Sequence, residues 1–196
     1  MVVVVEGAAD VRFLSDFAKH TFELVLTKDD FLQIGTDWRG LDNQRTQIAR
    51  RRDRGRRVLA ILDADWASPN YNQGGFATRR EALEDWFHQA AIECGIFLWP
   101  NDRDDGCLET MLEQIALSQH RPIFECFAKY EECIRASDPS YLTPNHKAKI
   151  YAYLEALGVD KEERGETKRD YLNKSAWNLD HDYLVPLRNF LKLPLR

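Results

Sequence analysis

The chain opens on an unbroken β-branched run, Val2-Val3-Val4-Val5, which meets Glu6 and Gly7 at its end. A run with no polar alternation predicts a strand buried on both faces, as in parallel sheets. Val11, Leu14 and Ala18, reinforced by Phe13 and Phe17, then recur at helical spacing, so strand, turn and helix follow one another. Phe22 to Leu26 and Phe31 to Ile34 are short strand candidates, and the polar stretch Leu41 to Arg54 predicts a helix ending near Gly55. Arg57 to Leu62 predicts a second buried strand that runs into Asp63-Ala64-Asp65. A loop with Pro69, Gly74 and Gly75 follows, and then Leu83, Trp86, Phe87, Ala90 and Cys94 share one helical face. Ile96 to Trp99 is a third apolar strand, Pro100 to Gly106 a polar loop, and a helix from near Cys107 buries Leu108, Met111, Leu112 and Ile115.

Alternating strands and helices predict an α/β fold, with a mainly parallel sheet flanked by helices. From about Pro122 the pattern is helical only, with stripes at Ile150, Tyr151, Leu154 and Leu157 and at Leu184, Leu187 and Leu191. Gly158 to Thr167 reads as the most linker-like stretch, being charged and aperiodic. The expected organisation is an α/β core over residues 1–120 and a helical C-terminal extension over 121–196 packed on it as one compact domain.

At 196 residues, 44% hydrophobic and 30% charged, the composition is that of an ordinary soluble globular protein. No apolar run approaches the roughly 20 residues that span a bilayer. The valine run lacks a basic leader, so a cytoplasmic protein with no membrane association is expected. Cys94, Cys107, Cys126 and Cys133 form no CxxC pair and no zinc-like spacing with histidine, and read as reduced, mostly core residues. The net charge of -5 argues against a generally basic nucleic-acid binder. Arg50, Arg51, Arg52, Arg54, Arg56 and Arg57 nevertheless fall within eight residues. They read either as a phosphate grip or as a solvated helix end.

The candidate chemistry lies where strands end. Glu6 terminates the first strand, and Asp10 lies one helical turn beyond it. Asp63 and Asp65 terminate the second strong strand, and Glu109 opens the helix after the third. Sites in parallel sheets gather at the carboxyl ends of strands, so these acids are expected to converge. Their oxygen ligands suit one or two Mg²⁺ or Mn²⁺ ions rather than zinc. Each acid alone also fits a solvated turn or a carboxylate favoured by a helix dipole. All three pieces in this chain order carry the argument.

Val2-Val3-Val4-Val5-Glu6-Gly7-Ala8-Ala9-Asp10 with Phe13-Leu14 resembles the opening motif of TOPRIM domains, and Leu59-Ala60-Ile61-Leu62-Asp63-Ala64-Asp65 resembles their DxD motif. Such domains occur in topoisomerases, primases, recombination-repair proteins, ribosomal-RNA maturases and OLD (overcoming lysogenization defect) nucleases. The chain is more specifically similar to a small bacterial TOPRIM-like family. That likeness rests on Phe97-Leu98-Trp99-Pro100-Asn101, Gly106-Cys107-Leu108-Glu109, Trp177, Asp180-His181 and Pro186-Leu187-Arg188-Asn189-Phe190-Leu191. The resemblance implies a TOPRIM-like, Rossmann-like fold. It makes Glu6 the general acid/base or a metal ligand, gives Mg²⁺ to Asp63 and Asp65, and matches Asp10 and Glu109 to the second-metal acids of OLD-type nucleases. Those nucleases place a lysine downstream, here Lys147 or Lys149. The chain has no GxxxxGK[ST] loop, so any ATPase partner would be a separate subunit. TOPRIM proteins often pair, which makes a homodimer plausible.

The leading expectation is therefore a metal-dependent nuclease on DNA or RNA, alone or with an ATPase in defence or repair. A non-catalytic TOPRIM-shaped module binding nucleic acid or protein is the alternative. A haloacid-dehalogenase-like phosphatase with Asp63 as nucleophile is the third. Trp38, Trp66, Trp86, Trp99 and Trp177 are weighed as base-stacking residues, with Trp66 foremost because it follows the acids. His181 is expected at a helix start, capped by Asp180 or Asp182.

Overall fold

A computed structural model describes residues 1–35, 37–68, 74–138 and 140–192. Four parallel strands form one sheet in the order β2-β1-β3-β4. They are β1 (Val2–Val5), β2 (Phe31–Gln33), β3 (Val58–Asp63) and β4 (Cys94–Trp99). Parallel neighbours need long crossovers, and these are α1 (Ala8–Phe22), α2 (Leu41–Asp53) and α3 (Phe76–Gln89). The fold is thus Rossmann-like α/β.

Alternation along β1 divides the core in two. Val3 and Val5, with Ile61, Phe97 and Trp99, face α1 and α4 (Leu108–Ile115). Val2 and Val4, with Val58, Ala60, Leu62 and Leu98, face α2 and α3. All four valines are at most 1% exposed, as the unbroken apolar run requires.

The extension holds α5 (Arg121–Ser137), α6 (His146–Ala156) and α7 (Val185–Lys192). It joins the α1 face through a run of ring contacts. Phe13 meets Trp99 and Tyr171 at centroid distances of 5.5 and 5.1 Å. Tyr171 then meets Trp177, Trp177 meets Tyr153, and Tyr153 meets Phe124. Because these rings share one core with the sheet, the extension is part of the same folding unit.

Several sequence expectations change. Phe22 to Leu26 is not a strand: Phe22 ends α1, Glu23 turns left-handed as its C-cap (φ 54°), and Leu24 and Val25 are exposed. Cys94 leaves the α3 face and opens β4, because α3 stops at Gln89. Cys107 is buried, but Cys126 and Cys133 are exposed on α5 rather than in the core. Gly158 to Thr167 is not a free linker, since Arg164 binds the Val159 carbonyl and Glu155, and Glu166 pairs with Lys147. His181 is not capped by an aspartate; its own Nδ1 accepts the Tyr183 N–H, while Asp180 pairs with His20. Pro69 lies outside the described residues. Among those described, no helix is long and apolar enough to cross a membrane.

Phe13→Ala should cost about 3–5 kcal/mol in urea unfolding, because it removes the ring that joins α1 to both Trp99 and Tyr171. Val25→Ala, at a residue 72% exposed, should cost about 0.5 kcal/mol or less. Equal losses for the two would contradict this packing.

Candidate active site

The chain reverses direction across the sheet between β1 and β3: β1 leads to β2 on one side, β3 to β4 on the other. Open α/β sheets bind ligands outside the carboxyl ends of strands at such a switch point. Glu6 leaves β1 and Asp63 ends β3 at this place, and the backbones of the two strands pair up to Val5 and Ile61.

Local structure sets each carboxylate. Asp10 reaches back so that its Oδ2 accepts the Gly7 N–H at 2.9 Å, closing the first turn of α1. Its Oδ1 accepts from Trp99 Nε1 at 2.9 Å. Asp63 Oδ1 accepts the Leu108 N–H at 2.9 Å, so it sits at the amino end of α4. Glu6 Oε1 accepts the Asp63 N–H at 3.2 Å. Glu109, 7% exposed in the first turn of α4, makes no hydrogen bond or ion pair with the described residues. Asp65 is not an extended continuation of β3, as the DxD spacing suggests. It is left-handed (φ 57°) and bridged to Gly106 by two backbone bonds of 2.8 Å.

Glu6, Asp10, Asp63, Asp65 and Glu109 line one cleft of about 250 Å³ with Lys147 and Glu166. Their crowding shows in their protonation. Burial, then the neighbouring charges of Asp10 and Asp65, raises the Glu6 carboxyl to about 8. Burial raises Asp10 to about 6 despite its hydrogen bonds. Asp63 lies well above the usual carboxylate range, from burial and then repulsion by Glu6, Asp10 and Glu109.

The structure chooses between the two lysines. Lys147 lines the cleft and pairs with Glu166 at 2.9 Å, whereas Lys149 turns to Glu113 (3.2 Å) and Glu131 (4.0 Å). The six arginines do not join the acids. Arg51 and Arg56 bind the Asp29 carbonyl, Arg56 also pairs with Asp30, and Arg52 binds the Ala91 carbonyl. Arg57 abuts the start of β3, and Arg50 and Arg54 are exposed at the end of α2. The run thus clamps the amino ends of the strands, about 17 Å of β3 away from Asp63 at 3.3 Å per residue. Of the tryptophans, Trp99 holds Asp10, Trp38 and Trp177 are buried, and Trp86 binds Asp42. Trp66 alone is exposed, stacked on His146 at 4.3 Å.

Three further residues shape the site. Arg79, 1% exposed on α3, binds Asp65 at 2.6 Å and approaches Glu6 at 4.0 Å. It shares the buried face with Leu83 and Phe87, and an arginine on an apolar stripe is a legible signal for an internal counter-ion. Asp105 accepts the N–H groups of Phe76 (2.7 Å) and Ala67 (3.3 Å), tying the β4–α4 loop to the β3–α3 loop. Glu166 comes from the aperiodic stretch, where no pattern marks it.

The all-oxygen donor set has the chemistry of a hard-cation site. In the side-chain positions of the structure, no three His, Cys, Asp or Glu residues among those described converge on one ion. Holding one would take rotation of Glu6, Asp63 or Glu109 toward a common point. Fold and cleft together define a Rossmann-like α/β protein with an acidic cleft at its switch point. The chain belongs to the family described as "Protein of unknown function (DUF3226)", whose model matches residues 1–195. No curated protein and no solved structure matches it.

Two outcomes follow from the charges. Between about 4.5 and 8 the folded state keeps the Glu6 proton that the unfolded chain gives up, and Asp10 adds a window from about 4 to 6. Stability in EDTA should therefore fall by several degrees in melting temperature from pH 5 to pH 8.5; a flat or rising profile would contradict the crowding. Arg79→Met at pH 8 should cost about 2–3 kcal/mol. That is below the about 3–5 of a fully buried pair, because Asp65 is 41% exposed. The loss should shrink at pH 5, where Glu6 is protonated.

Proposed function

We propose that this protein is a TOPRIM-type, divalent-metal-dependent nuclease. The observation that supports it most is the convergence of five carboxylates from β1–α1, β3 and α4 in one cleft at the switch point. Buried like charges are costly unless cations offset them; Arg79 pairs with Asp65 at 2.6 Å and approaches Glu6 at 4.0 Å.

In this reading Asp63 and Asp65 would hold Mg²⁺ or Mn²⁺, with Asp10 and Glu109 available to a second ion and Glu6 left as the general acid. The metal, when bound, polarises the phosphate and activates water. Glu6, which carries a proton up to about pH 8, is placed to give it to the leaving oxygen as the phosphorus–oxygen bond breaks. Lys147 supplies positive charge at the cleft for the phosphate oxygens. Asp10 is a ligand held rigid by Gly7 and Trp99.

A second reading, a non-catalytic module binding nucleic acid or protein, is favoured by two observations: Asp65 already pairs with Arg79, and no three acids among the described residues converge on an ion. One experiment separates the two. Wild type, Glu6→Gln and Asp63→Asn are incubated with plasmid, single-stranded DNA and tRNA in EDTA, Mg²⁺ or Mn²⁺. Metal-dependent cleavage is expected, falling roughly 100-fold or more in both variants. Mn²⁺ should also raise the wild-type melting temperature at pH 8 and leave that of Asp63→Asn nearly unchanged. Inert wild type with no thermal response to Mn²⁺ would leave only the second reading.

A further inference from the structure

The acidic cleft does not end at its carboxylates. Ala8, in the first turn of α1, lines both this cleft and a second hollow of about 610 Å³. The facing wall hands over in the same way, from Glu166 in the cleft to Thr167 in the hollow. From there the hollow follows α1 through Val11 and Arg12 to Ser15, beside Gln33 and Phe31 of β2, and reaches Lys28. Ala8 to Ser15 covers about 10 Å of helix.

Charge changes sign along this path. The cleft is lined by carboxylates; the hollow has none among its described lining residues, and carries Arg12 and Lys28 with the polar groups of Ser15, Gln33 and Thr167. Arg12 is held in place by the Arg169 carbonyl (2.7 Å) and Asp16 (2.9 Å). Lys28 is exposed, and its ammonium group makes no hydrogen bond or ion pair with the described residues. Just past it, Arg51 and Arg56 meet at the Asp29 carbonyl.

We propose that this hollow is a track for a single nucleic-acid strand leading away from the acidic cleft, its phosphates held by Lys28 and Arg12. Naming the ligand a nucleic acid rests on the nuclease reading; the change of charge and the shared walls do not. About 610 Å³ over about 10 Å leaves a passage some 8 Å across, too narrow for a duplex, whose two grooves alone are roughly 8.5 and 7.5 Å deep. Its length takes about three nucleotides of a stacked strand at 3.4 Å each.

The test is fluorescence anisotropy with a labelled 12-nucleotide DNA, single-stranded or paired, in EDTA and in Ca²⁺ across a range of salt. The single strand should bind more tightly than the duplex. Lys28→Glu and Gln33→Glu, both at exposed positions, should each weaken binding roughly fivefold to tenfold. Lys28→Glu should also make the log–log salt slope shallower by about 0.7. Lys129→Glu, exposed on α5, should change binding less than twofold. Wild-type affinity in both track variants, or a wild type that binds neither DNA, overturns the track. A strand held through Lys28 but never cut in Mg²⁺ or Mn²⁺ removes the nuclease reading and leaves the track. Cleavage with both variants binding normally does the reverse.

Discussion

The structure depends on β1 lying between β2 and β3 with both faces buried. Four consecutive valines leave it no polar side, so helices must cover the sheet above and below. Covering both faces requires the chain to run first outward from β1 to β2 and then back across to β3. That return sets the ends of β1 and β3 side by side with no strand between them. The acidic cleft follows from a core constraint, since Glu6 and Asp63 are the residues at which those two strands run out.

Crowding acids at a switch point has a cost that the surrounding residues partly offset. Trp99 and the Gly7 N–H hold Asp10, the Leu108 N–H holds Asp63, and Arg79 neutralises Asp65. These contacts position the carboxylates but leave several of them protonated or repelling near neutral pH. A cation entering the cleft would relieve that repulsion, and it would compete with Arg79 for Asp65. The site is thus poised between an internal and an external counter-charge.

The extension bears on the same cleft from the other side. Its rings seat it against α1, and that seating brings Lys147 and Glu166 to the acids and Thr167 to the neighbouring hollow. Residues 121–192 therefore complete both walls instead of forming an appendage. The arginine run, by contrast, works at the amino ends of the strands, where it occupies backbone carbonyls.

Sequence by itself determined the four strands of the sheet, the crossover helices and the order of the acids, though it also marked Phe22 to Leu26 as a strand where α1 ends instead. Burial imposes period 2 or 3.6 on apolar residues, and a parallel strand on both faces shows as an unbroken run. Glu6, Asp10, Asp63, Asp65 and Glu109 were legible because strand ends are sites in such folds whatever the rest does. Tertiary structure alone decided between Lys147 and Lys149, sent the arginines to the far end, brought in Arg79 and Glu166, and turned Asp65 left-handed against Gly106. Each of these depends on contacts between residues distant in the chain, and no local periodicity encodes which of two neighbouring side chains will face a given cleft.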